Sequence, residues 1–198
     1  MLTDTEKQTL LKLKNKGSFK LWNIYKRECF ISELNPDPQF CLDTYPDFFD
    51  NIEEVQLCQR YCKNYHNRNI RLSKRIELIL NVDINDNAFI TLTFNDASLN
   101  NLSYSTRRKR VREFLKSQCA LYVANIDFGK KNGREHYHAV VSNRVDPSLW
   151  AYGSCNAIKI TRYNSKALAK YVNKLTNHAL KDTANKGASI IYSKGLKI

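Results

Sequence analysis

The chain has 198 residues and sets 32 Lys and Arg against 19 Asp and Glu, a formal charge of +13 with a pI near 9.5. That balance points to a polyanionic partner, nucleic acid before anionic membrane, and at 42% hydrophobic residues the chain can bury a core. No apolar run is long enough to span a bilayer and no N-terminal stretch resembles a signal peptide, so no membrane partner and a reducing, cytoplasmic setting are expected, with the six cysteines as thiols or metal ligands and not disulfides.

In chain order, Thr3 or Asp4 caps a first helix that runs to Gly17 with Leu10, Leu11 and Leu13 on it. Ser18 caps a second, through Leu34, whose Leu21, Trp22, Tyr25, Cys29 and Phe30 suit one buried face. Asn35-Pro36-Asp37-Pro38 then breaks the chain. The acidic, aromatic stretch from Glu33 to Glu54, with Tyr45, Phe48 and Phe49, reads as a solvated loop with a few packing rings, against a segment that folds back over positive surface or meets a partner. From Ile52 to Leu80 the pattern is helical. Cys58, Cys62 and His66 recur every four residues along it and, with Cys29 or Cys41, are candidates for a structural zinc, against buried thiols and a surface histidine. Lys63, Arg68, Arg71, Lys74 and Arg75 make this helix basic, fit either for a phosphate backbone or for water. Residues 1–86 are expected to be a helical accessory region, and residues 87–198 a second domain.

The second domain opens on Phe89-Ile90-Thr91-Leu92-Thr93-Phe94, a period-two strand with Ile90, Leu92 and Phe94 on one side and Thr91 and Thr93 on the other. Next comes a helix that buries Val111, Phe114 and Leu115 and opens with Arg107, Arg108, Lys109 and Arg110, candidate DNA contacts because so dense a cation run exceeds what solubility needs. Ala120 to Phe128 is a strand, Gly129 to Gly133 is turn chemistry, and Arg134 to Val141 is a second strand, so the two form an antiparallel hairpin. Strand alternation puts His136 and His138 on one face, roughly 6–7 Å apart, and the hairpin sets Asp127 opposite His136. Two imidazoles and a carboxylate then converge, with positions left for water or a phosphate oxygen, as a catalytic divalent ion requires. Glu135 falls on the wrong face. Trp150 is either core or a base-stacking platform, and Ala157 to Thr161 is a further strand. A helix from Ser165 carries Leu168, Val172, Leu175 and Ala179 as its docking stripe, with Tyr171 and Lys174 on another face and His178 one turn on. Lys130, Lys131, Arg134 and Lys170 lie beside these motifs and join the candidate DNA contacts. Ile190-Ile191-Tyr192 can add an edge strand.

The order Thr-Leu-Thr-Phe, then His-Tyr-His, then Tyr-x-x-Lys on a helix resembles the HUH endonuclease superfamily, in particular the rolling-circle replication initiators (Rep proteins) of small single-stranded DNA viruses, phages and plasmids. The resemblance spans roughly residues 87–180. It implies an α+β domain, an antiparallel sheet with flanking helices in a ferredoxin-like or RRM-like arrangement. It also implies Mg²⁺ or Mn²⁺ on His136, His138 and Asp127, Tyr171 as nucleophile, and Lys174 as the family lysine. Conjugative relaxases carry their tyrosines near the N-terminus, so the order favours an initiator; Tyr163 is a poor second nucleophile. The implied activity is nicking of single-stranded origin and hairpin DNA, leaving a 5′-phosphotyrosine link and a free 3′-hydroxyl that permit rejoining. No Gly-x-x-x-x-Gly-Lys loop is present, so helicase and polymerase are expected from the host. A single-tyrosine insertion-sequence transposase and a non-catalytic DNA- or RNA-binding module are the alternatives. The second would want aromatic side chains on the exposed sheet face, where Thr91, Thr93, Asn125, Asp127, His136 and His138 are expected instead.

Overall fold

The computed structural model describes residues 2–16, 36–82, 86–128, 134–160, 165–172 and 190–196, without the side chains of Lys14, Lys16, Tyr65, Ser165 and Lys170. The expected helix over 18–34 therefore lies outside the described residues, as do Lys130, Lys131, Tyr163, Lys174 and His178. The chain divides into two compact units, residues 1–68 with 179–186, and residues 69–178 with 187–198.

In the first unit, helix α1 (Asp4–Lys16) starts with a reciprocal cap. The Thr3 N–H donates to Glu6 at 2.7 Å and the Glu6 N–H donates to Thr3 Oγ1 at 3.2 Å, so two backbone donors that the helix cannot satisfy are both bonded. The acidic, aromatic stretch is not a solvated loop. It contains α2 (Pro38–Thr44), with Asp37 accepting from the Gln39 N–H and Pro38 in the first turn, where its missing N–H costs nothing. Phe48 and Phe49 are buried edge to face, centroids 4.7 Å apart, in a core with Leu10, Leu13, Cys41 and Val55. Asp50 and Glu54 turn back onto Lys12, at 2.8 and 3.6 Å.

Helix α3 (Ile52–Leu80) brings Cys58 and Cys62 into that same core. Both are reduced and fully buried among apolar side chains, whereas His66, one turn further on, is exposed. Among the described residues neither thiol belongs to a group of three side chains able to hold a metal, and Cys29, one of the possible further ligands, lies outside the described residues. The four-residue spacing that suggested ligands is also the spacing of a core stripe.

The second unit is built on a five-stranded antiparallel sheet ordered β4-β1-β3-β2-β5, from β1 (Ala88–Phe94), β2 (Tyr122–Phe128), β3 (Glu135–Val141), β4 (Gly153–Lys159) and β5 (Ile191–Tyr192). Between β1 and β2 come α4 (Asp96–Asn101) and α5 (Tyr104–Gln118), capped by Asn95 and Ser103. Helix α6 (Ser165–Val172) follows β4. The architecture is the expected α+β, and the first four strands keep the order of the split β-α-β arrangement. Its second crossover differs: only a 3₁₀ turn, Pro147–Leu149, stands between β3 and β4, and the helix comes after β4.

Both sheet faces are covered, by different means. On one, Ile90, Leu92, Phe94, Tyr137, Ala139 and Ile126 pack against Val111, Phe114 and Leu115 of α5. Trp150 is part of this core, with centroids 5.2 Å from both Phe94 and Phe114, and its indole N–H donates to Thr93 O at 3.4 Å. On the other face Phe89, Val123 and Val140 meet Leu72, Ile76, Ile79 and Leu80 of α3 and Ala169 and Val172 of α6. Each fully buried Leu or Ile here contributes about 1.5–3 kcal/mol. β4 starts at Gly153, where a Cβ would lie 2.0 Å from Thr93 O, so only glycine lets it close onto β1.

Candidate metal centre

The ladder dictates what meets on the second face. Register sets Val123, Val140, Phe89 and Ile158 in one row across β2, β3, β1 and β4; Asn125, His138, Thr91 and Asn156 in the next; and Asp127, His136, Thr93 and Ser154 in the third. In the first row Val123, Val140 and Phe89 lie under the helices, and Ile158 on the edge strand is exposed. The second and third are polar and lead to the open end of the sheet. A single face thus passes from core to site along its strands, because the apolar residues of β2 and β3 give way to hydrogen-bonding ones at Asn125 and His138.

Asp127 stands opposite His136, as the hairpin requires. Its Oδ2 lies 3.6 Å from Nε2 of both His136 and His138, and the donor atoms of all three residues fall within 4.8 Å of one another. The far side of each imidazole is also held. His136 Nδ1–H donates to Arg134 O at 3.1 Å, since a carbonyl only accepts, and this bond turns Nε2 toward Asp127. His138 Nδ1 is bonded to Thr91 Oγ1 at 3.1 Å. Burial alone would push the Asp127 carboxyl up, but hydrogen bonds from His136, His138 and the Phe128 N–H outweigh it and hold the group well below the usual carboxylate range. It is an anion at neutral pH. Two imidazole nitrogens and one carboxylate, grouped within 4.8 Å, are a donor set that fits a divalent cation.

Helix α6 lays Tyr171 against this group. Its ring is 5.0 Å from that of His138 and 5.4 Å from that of Phe89, while Phe89 and His138 stack at 5.6 Å. The phenol is 48% exposed. The ring is thus held beside the histidines by two aromatic neighbours while much of the residue stays exposed.

The segment from β1 to α6 therefore carries, in order, the threonine strand, the histidine strand and the tyrosine helix. Residues 87–176 match the family of replication-associated proteins of the ORF2 type. No curated protein and no solved structure matches the chain. The match agrees with the resemblance to replication initiators, and the matched segment contains Asp127, His136 and His138.

The basic residues are distributed differently from the sequence expectation. Helix α5 packs on the face away from the metal centre, so its cations do not adjoin the ligands. Arg107 is committed inside the fold: it binds Glu135 at 2.7 and 3.0 Å and the Leu99 and Leu102 carbonyls, with its side chain 14% exposed. Arg108 donates to Ile190 O at 3.3 Å, Arg110 pairs with Glu113 at 2.9 Å and lies over Tyr152, and Lys109 is exposed, 3.8 Å from Glu113. Arg134 donates to Phe94 O at 3.0 Å and pairs with Asp96. Lys170 lies in α6. Glu135, with its side chain 5% exposed under Arg107, is on the far face, as alternation requires. Sequence reasoning put Thr91 and Asn125 on the correct face but missed their tasks, which depend on contacts made with His138 and with Val172 of α6.

Proposed function

We propose that this protein is a replication initiator that nicks single-stranded origin DNA by tyrosine transesterification. The observation that carries the reading is Tyr171, held 5.0 Å from His138 beside the Asp127–His136–His138 group, within a segment of a replication-associated family. His136, His138 and Asp127 hold Mn²⁺ or Mg²⁺, which when bound neutralises charge developing on the scissile phosphate. The Tyr171 oxygen, on loss of its proton, forms the bond to phosphorus. The 3′ oxygen leaves, takes up a proton and becomes the free 3′-hydroxyl, while the 5′-phosphate stays on the tyrosine and retains the bond for rejoining. A phenol with a pKa near 10 is a poor nucleophile until neighbouring positive charge favours its anion. Lys174, by its family position, positions the phosphate or protonates the leaving oxygen. Origin hairpins are the expected substrate, and Arg108, Lys109 and Arg110, with Lys130, Lys131, Arg134 and Lys170, are assigned to the flanking strand. Unwinding and synthesis fall to separate proteins.

The test is incubation with labelled single-stranded hairpin oligonucleotides and Mn²⁺, reading a denaturation-resistant protein–DNA band. The band should require the metal and vanish in both Tyr171→Phe and His138→Ala. Tight binding that never becomes covalent, across metals and sequences, would replace this reading with a non-cleaving binding module.

A further inference from the structure

Asn125 is buried, 3% exposed, and pairs with the ligand His138 across the β2–β3 ladder. Its Nδ2 donates at 2.7 Å to the carbonyl oxygen of Val172, the residue after Tyr171. Because a carbonyl only accepts, the amide orientation is fixed, and Oδ1 then has no hydrogen-bond partner among the described residues. A buried polar atom without a partner is a liability that an apolar residue would avoid, so the amide calls for another explanation. The bond to Val172 supplies one. A side chain of the strand that carries Asp127 thereby bonds the backbone of the helix that carries Tyr171.

We propose that Asn125 is a positioning residue that fixes the nucleophile's helix to the metal strands and so sets the distance between Tyr171 and the cation. The apolar contacts of Ala169 and Val172 press α6 onto the sheet, but such contacts are non-directional and allow the helix to slide. A hydrogen bond one residue from Tyr171, anchored beside His138, removes that freedom. A misplacement of about 1 Å is enough to cost on the order of a hundredfold in rate. The inference rests on Tyr171 being the nucleophile, yet the geometry can be tested without the reaction.

The full chain is prepared with 3-fluorotyrosine at 171, as the otherwise unaltered protein and as Asn125→Leu and Asn125→Asp, the second of which keeps the size but turns an acceptor toward the Val172 carbonyl. Mn²⁺ occupancy is read by electron paramagnetic resonance, the fluorine signal gives broadening by the bound ion, and adduct formation on a single-stranded hairpin oligonucleotide gives kcat and KM. The expected result is unchanged Mn²⁺ occupancy, fluorine broadening clearly reduced in a correctly folded variant, and kcat lowered at least tenfold with KM little changed. Full broadening and full kcat in either folded variant would overturn the proposal, as would loss of Mn²⁺ binding and folding together in both, which marks Asn125 as a general structural residue. If the parent protein forms no adduct but shows Asn125-dependent broadening, the nickase reading fails while the positioning role stands.

Discussion

Arg107 and Glu135 form a clasp between helix α5 and the first residue of the histidine strand, the guanidinium reaching one carboxylate oxygen with two nitrogens at 2.7 and 3.0 Å. Both side chains are largely buried. The clasp sits on the opposite face from His136 and braces the strand that presents it.

Removing one partner of such a pair strands the other charge, and Glu135→Ala or Arg107→Ala is expected to cost about 3–5 kcal/mol. Replacing both, Arg107→Met with Glu135→Leu, should recover much of the loss. Urea denaturation of the three variants checks this. The same variants decide whether Arg107 touches DNA: the salt dependence of oligonucleotide binding should keep its slope in Arg107→Ala, where a lost single-strand phosphate contact would reduce it by about 0.7.

Imidazole donors favour the later divalent ions over magnesium, which prefers oxygen ligands and keeps its waters. Mn²⁺ should therefore bind at a concentration about tenfold or more below Mg²⁺, with His136→Ala and Asp127→Asn each abolishing tight Mn²⁺ binding. Calorimetric titration of the chelator-treated protein measures both. Equal affinities would place the ion on oxygen ligands elsewhere.

Asp127 makes the metal-free fold sensitive to acid. Its carboxyl is held below its ordinary value in the fold, so as pH falls the unfolded chain, with a carboxyl pKa of about 3.9, takes up the proton first. The stabilisation is present above about pH 4 and is lost progressively below it. In EDTA, the gap in denaturation midpoint between the parent protein and Asp127→Asn should narrow from pH 6 to pH 3. A gap that stays constant would mean that the carboxylate's hydrogen bonds contribute nothing to folding.

Lys109 and Arg112 are exposed cations of the helix behind the sheet, as is Lys116 in its last turn. If they hold the strand away from the centre, Lys109→Ala and Arg112→Ala should each lower the salt slope of DNA binding by about 0.7 while the rate at saturating oligonucleotide is unchanged. A loss of rate at saturation would instead tie α5 to the chemistry.

Much of the second unit was legible because its signals are local. Period-two alternation over Phe89–Phe94 and over the histidine strand put each residue on its observed face, and the turn between β2 and β3 set Asp127 against His136 without any tertiary information. The helix over Ile52–Leu80 was equally plain. What failed depended on distant partners. A run of cations reads alike whether each meets water, phosphate or a buried carboxylate, and only the approach of β3 to α5 committed Arg107. Cys58 and Cys62 resemble ligands because core and ligand stripes share one helical period. The missed helix at Pro38 does leave a signal, an Asp-Pro pair with aspartate as N-cap and proline in the first turn, but the same pair also reads as a chain break.

Because Asp127, His136 and His138 all come from one pair of adjacent strands, the cation's cage is a local object, held by its own ladder. The phenol comes on a separate segment, fastened by side-chain contacts and one buried amide. The two parts are separable. A shift of α6 would carry Tyr171 and leave the Asp127–His136–His138 group in place, so helix and hairpin can be perturbed one at a time.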